Sequence, residues 1–143
     1  MRVDEVTASP EKRTFGVSVN DVTAIDSWVE GVTRRLGVSE QTAFRTRLCI
    51  AELATNVLEH GTCRAENDHI VISIDSVGDG IKVEFLDTRR QFDPTANTPV
   101  PPFGDPLNGG GRGLLLLHAY ADKMKYADDG TYNRLKFEIA LAD

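Results

Sequence analysis

The chain has 143 residues, 41% of them apolar and 27% charged, which suits one globular domain with enough material for a single core. Sixteen Lys and Arg against 22 Asp and Glu give a formal net charge of −6, which argues against a broad nucleic-acid-binding surface. No apolar run approaches the ~18 residues of a membrane span, and the start "MRVDEVTASPEKR" has no apolar stretch of signal-peptide type, so the expected location is the cytoplasm.

Residues 1–12 are polar and read as an N-terminal extension. "RTFGVSV" (13–19) alternates Phe15, Val17 and Val19, the period of a strand. Asn20 or Asp21 can cap a helix running to about Leu36, with Val22, Ile25, Val29, Val32 and Leu36 at helical spacing. "LGVSE" breaks it, and Ser39 can cap a long second helix over about 40–60. That helix is expected to turn Phe44, Leu48, Ala51 and Leu58 to the core and to end at Gly61. Cys49, inside the apolar pattern, reads as a small core residue. With Cys63 it is too little for a disulfide framework or a zinc site.

The period then changes. "HIVISID" (69–75) and "IKVEFLD" (81–87) read as strands joined by the hairpin segment "SVGDG". From Arg89 to Asn108 stand Pro94, Pro99, Pro101, Pro102 and Pro106 with few apolar residues, so a long loop is expected there, and long loops are usually functional or disordered. A helix from Leu114 to about Ala121 follows, then a closing hairpin of "KMKYAD" and "YNRLKFEIALA" across Asp129-Gly130. No repeat or linker is visible, so residues 1–143 read as one domain. Its class is α+β, a mainly antiparallel sheet with helices on one face.

Three features carry chemistry. In "AELATNVLEHG", Glu52, Asn56 and His60 are spaced by four and share a helix face. That is either a solvated polar face or a site, in which the Asn oxygen suits Mg²⁺ and the Glu takes a proton from an attacking hydroxyl. Asp87 closes an apolar strand. It either starts a turn or accepts a hydrogen bond from an exocyclic amine such as that of adenine. The run "NGGGRGLLLLHAYADKM" sets Gly109, Gly110, Gly111, Arg112 and Gly113 ahead of a helix. This is either a flexible loop or a phosphate cradle of bare N–H groups at a helix start.

Together and in this order, these segments resemble the GHKL (Bergerat-fold) ATPases. "ELATNVLEHG" is similar to the N box, "LDTRRQFDP" falls where the Asp-x-Gly-x-Gly box stands, and "GGGRGLLLLHAYADKMKY" is similar to the second glycine box. The "EHG" ending and the Gly-Arg-Gly-Leu form resemble the bacterial anti-sigma-factor serine/threonine kinase branch, over about Thr14 to Ala140. The resemblance implies a two-layer Bergerat sandwich that binds ATP and Mg²⁺ under a lid at 89–113. It implies Glu52 as general base, Asn56 as Mg²⁺ ligand, Asp87 as adenine-binding carboxylate, and Gly109–Gly113 with Arg112 at the phosphates. It sets Thr131 near the turn whose Thr supports the adenine-binding Asp.

The implied substrate is a STAS-domain anti-sigma antagonist in a partner-switching circuit, with a sigma factor as a further partner. No direct nucleic-acid or membrane contact is expected, and a homodimer through the N-terminal strand and helix is what the branch would form. One departure stands out: Arg89 and Gln91 occupy positions where the family has glycine. Either the arginines Arg89 and Arg90 fold over the nucleotide and meet its phosphates, or the pocket is narrowed. In the second case the chain is a binding module that sequesters a sigma factor or antagonist. A phosphorelay half is disfavoured because His60, His69 and His118 all lie inside the domain as read; a metal site built from them is disfavoured because none has a partner at ligand spacing.

Overall fold

The computed structural model describes residues 10–61, 67–78, 80–89 and 117–140. Five strands form one antiparallel sheet: β1 (Glu11–Phe15), β2 (Ile70–Val77), β3 (Gly80–Asp87), β4 (Ala121–Asp128) and β5 (Asn133–Ile139), in the order β1-β2-β3-β5-β4. Two long helices, α1 (Val19–Leu36) and α2 (Glu40–His60), separate β1 from β2. Residues 117–120 add a helical turn just before β4. This is the α+β two-layer arrangement expected from the strand and helix periods.

Period-2 alternation selects the inner face of the sheet. Ile72 lies opposite Phe85, Phe85 opposite Leu135, Val83 opposite Phe137 and Ile81 opposite Ile139, and all of these are buried. The other face carries polar side chains such as Ser73, Asp75, Lys82, Glu84 and Lys136. From α1 come Ile25, Val29 and Val32, all fully buried, as their spacing predicts. Complete burial of one such side chain stabilises by roughly 1.5–3 kcal/mol.

Helix α1 starts two or three residues earlier than Asn20 or Asp21 would give. Ser18 is the cap: its Oγ accepts the Asp21 N–H at 3.1 Å and donates to Asp21 Oδ2 at 2.6 Å. This early cap also shortens β1, which ends at Phe15, and leaves Val19 71% exposed as the first helical residue. Helix α2 begins and ends where expected, capped by Ser39 and closed at Gly61. Its buried face differs: Cys49, Ile50, Leu53, Ala54 and Val57 form the stripe, whereas Phe44 is 57% exposed. Leu48, Ala51 and Leu58 are half-buried. β4 begins at Ala121, the residue at which the preceding helix was expected to end.

Antiparallel pairing gathers the exits of β1, β3 and β4 and the entries of β2 and β5 at one end of the sheet, since Phe15 faces Ile70, Ile70 faces Asp87, Asp87 faces Asn133 and Asn133 faces Asp128. The last turn of α2 is tied to the same end, through Arg89.

Candidate functional site

At that end of the sandwich lie the buried polar side chains Asn56, Asp87 and Asn133. Among the described residues, the remaining buried polar ones are helical threonines, whose hydroxyls bond locally; Thr46 Oγ1, for instance, donates to the Thr42 carbonyl at 2.8 Å. Asn56 projects beside Leu53 and Val57 on the buried stripe of α2, 8% exposed, and Glu52 lies one turn before it, half-buried. Burial, and secondly the Glu52 charge, push the Cys49 thiol up to about 12, so Cys49 is an inert core thiol. His60, one turn after Asn56, points to solvent.

Asp87 closes β3 and is 1% exposed. Its Oδ1 accepts two hydrogen bonds, from the Arg89 main-chain N–H at 3.0 Å and from Asn133 Nδ2 at 3.2 Å. Asn133 is the first residue of β5 and stands directly opposite Asp87 in the ladder. Its Nδ2 also donates to the Arg89 carbonyl, and its Oδ1 accepts the Tyr126 hydroxyl at 2.9 Å. Thr131, which the resemblance sets near the turn supporting Asp87, is exposed in the β4–β5 turn, with its N–H on Asp129 Oδ1 at 2.9 Å, and Asn133 is a side chain of this hairpin that donates to Asp87. Strand alternation explains the difference. Asn133 is the first inward position of β5, in phase with Leu135, Phe137 and Ile139, and Thr131 still belongs to the turn.

Arg89 reaches α2. Its Nη1 lies 3.4 Å from the Val57 carbonyl, which also accepts the Gly61 N–H at 3.1 Å, and 3.5 Å from that of Leu58, at the C-terminal end of α2, where the negative end of the helix dipole attracts a cation. Its Nε is buried, makes no hydrogen bond, and sits 3.5 Å from Asp68 Oδ2. The aliphatic stem runs over Gly61: a Cβ there would lie 3.1 Å from Arg89 Cβ and 2.6 Å from the Val57 carbonyl oxygen. Arg89 thus forms a strut between β3 and α2.

The strut has its own bracing. Thr88 Oγ1 donates to Asp68 Oδ1 and accepts the His69 N–H, both at 2.9 Å. His69 Nδ1 faces the Asn67 carbonyl at 2.9 Å, so that nitrogen carries the proton and Nε2 accepts the Tyr132 hydroxyl at 2.8 Å. The sequence reading missed Asn133, Tyr126 and Asp68. Gly109, Gly110, Gly111, Arg112 and Gly113, with Arg90, Gln91 and most of the expected 89–113 lid, lie outside the described residues.

The donor set fits the groups the resemblance implies. Asn56 offers a hard carboxamide oxygen of the kind Mg²⁺ takes, and Asp87 offers a carboxylate with a fixed plane. Among the described residues, no helix is long and apolar enough to cross a membrane.

Comparison with known proteins bears on the fold. The chain covers 95% of its own length and 33% of the matched chain in a structure of the RsbU and RsbW domains of Rv1364c from Mycobacterium tuberculosis, with a TM-score of 0.65 at 13% identity. The histidine kinase domain of the Erythrobacter litoralis EL346 blue-light activated histidine kinase matches with a TM-score of 0.48 at 19% identity, over 85% of this chain and 60% of that one. No curated protein matches. This chain spans only a third of the first of these structures and under two thirds of the second. The family model for the histidine kinase-like ATPase domain matches residues 15–139, from the last residue of β1 to the last of β5, and the chain belongs to that family.

Proposed function

We propose that this chain binds ATP with Mg²⁺ and transfers the γ-phosphoryl group to a serine or threonine hydroxyl of a STAS-domain anti-sigma antagonist. The observation that carries the reading is Asp87: a fully buried carboxylate, fixed by two N–H donors, at the sandwich end where α2 brings Asn56. Asp87 reads the exocyclic amine of adenine. Asn56 supplies one oxygen to Mg²⁺, which when bound neutralises phosphate charge. Glu52, one turn earlier and half-buried, accepts the proton of the attacking hydroxyl as its oxygen bonds to the γ-phosphorus and the bond to the β,γ-bridging oxygen breaks, releasing ADP. The N–H groups of Gly109–Gly113 and the Arg112 guanidinium hold phosphate oxygens. The seryl/threonyl substrate rests on the resemblance of "ELATNVLEHG" and "GGGRGLLLLHAYADKMKY" to the anti-sigma kinase branch.

The rival reading, a nucleotide-weak or catalytically inactive module that sequesters a sigma factor or antagonist, drew on Arg89 and Gln91 at glycine positions. The engagement of that guanidinium with α2 supports the ATP reading instead. Glu52→Ala separates binding from chemistry. With labelled ATP and a STAS-domain antagonist as acceptor, the variant should bind ATP as the wild type does and lose transfer by about 10²–10⁴-fold. Transfer at the wild-type rate would remove Glu52 from the mechanism.

A further inference from the structure

We infer that Asn133 is the positioning residue that gives Asp87 its selectivity for a 6-amino purine, with Tyr126 fixing which end of the Asn133 carboxamide meets the carboxylate. The inference rests on the ATP-site reading above and deepens it.

Asn133 sits where a core residue belongs. Leu135, Phe137 and Ile139 share its phase and are buried, and Asn133 is itself 2% exposed. An amide placed there is costly unless its polar atoms are paired. All of them are paired: Nδ2 donates to Asp87 Oδ1 and to the Arg89 carbonyl, and Oδ1 accepts from Tyr126. A flipped carboxamide would set its oxygen against the Asp87 carboxylate and against the Arg89 carbonyl. The Tyr126 hydroxyl, donating to Oδ1, holds the productive orientation. Strand β4 thereby reports through β5 to the last residue of β3, since Tyr126 pairs with Leu135 and Asn133 with Asp87.

The consequence is chemical. The Arg89 N–H and Asn133 Nδ2 both converge on Oδ1, which fixes the plane of the carboxylate. A carboxylate held as an acceptor rewards a ligand N–H and penalises a carbonyl or a bare C–H at the same place. Without Asn133, a donor that fixes Oδ1 is gone and the carboxylate is held less firmly about its χ2 axis. Base discrimination should then fall more than general nucleotide affinity, which depends on the phosphate end.

The test is a titration of the full chain with the Mg²⁺ complexes of ATP and of purine riboside triphosphate, which lacks the 6-amino group. Wild type should favour ATP by about 10–100-fold, the worth of a hydrogen bond to a charged group. Asn133→Ala should lose most of that ratio through weaker ATP binding, with affinity for the purine analogue within about threefold of wild type. Tyr126→Phe, which removes one hydroxyl, should reduce the ratio in the same direction by a smaller factor, and it decides the matter if Asn133→Ala does not fold. A wild-type ratio in Asn133→Ala, or equal losses for both nucleotides, would overturn the inference and leave the ATP site standing. So would an unchanged ratio in Tyr126→Phe where Asn133→Ala does not fold. A wild-type protein that bound neither nucleotide, or both equally, would overturn the ATP-site reading and this inference with it.

Discussion

At Arg89 the neighbours in sequence and the contacts in the fold point to different roles. Its place in "LDTRRQFDP" points to a bound nucleotide, yet its guanidinium lies against the Val57 and Leu58 carbonyls and 3.5 Å from Asp68, a side chain only 4% exposed. Removing a cation from such a setting leaves helix-end carbonyls and a buried carboxylate less compensated. Arg89→Ala should therefore lower unfolding stability by roughly 1–3 kcal/mol, read from the urea midpoint, with ATP affinity altered far less than by a change at Asp87. Unchanged stability together with lost ATP binding would return Arg89 to the phosphates. The arrangement was hidden from the sequence because it depends on Gly61: without a Cβ there, the Arg89 stem can pass between β3 and α2.

At the scale of elements, α2 is the support of the site. Ser39 Oγ accepts the Thr42 N–H and donates to Thr42 Oγ1, each at 3.1 Å, which ties off the first turn of the helix that carries Glu52 and Asn56 in its second half. Ser39→Ala should cost about 1 kcal/mol of stability, seen as a lower urea midpoint with unchanged slope, and should leave ATP affinity at its wild-type value. An unchanged midpoint would show that the cap is not what holds this end. The bounds of α2 were legible because Ser39 and Gly61 mark them in the sequence. Its buried face was not. The helix packs on both α1 and the sheet, so the direction of its stripe depends on where α1 lies, and Phe44 ends beside the α1–α2 groove with Glu30, Thr33 and Arg34. β2 and β3 were legible to within two residues because strict alternation survives in "HIVISID" and "IKVEFLD".

Across the whole molecule, the site is a product of register. Asp87 and Asn133 lie 46 residues apart and meet because β3 and β5 pair with those two residues opposite each other. No local pattern announces that meeting. One signal was present: an Asn at the apolar phase of "YNRLKFEI" is out of place unless something buried needs it. Glu52, Asn56 and Asp87 were singled out by residue type and order, and in the structure Asn56 and Asp87 are buried, with Glu52 half-buried one turn before Asn56. The strut and the Tyr126–Asn133–Asp87 chain needed the fold.

The most direct test of this account is calorimetric titration of the full chain and of Asp87→Asn with ATP and with ADP, each with Mg²⁺. Replacing the carboxylate by a carboxamide puts an N–H where an acceptor is needed or breaks the Asn133 contact, so the account predicts micromolar-range binding by the wild type, on the order of −8 kcal/mol, and its loss in the variant. No binding by the wild type, or equal binding by both proteins, would contradict it.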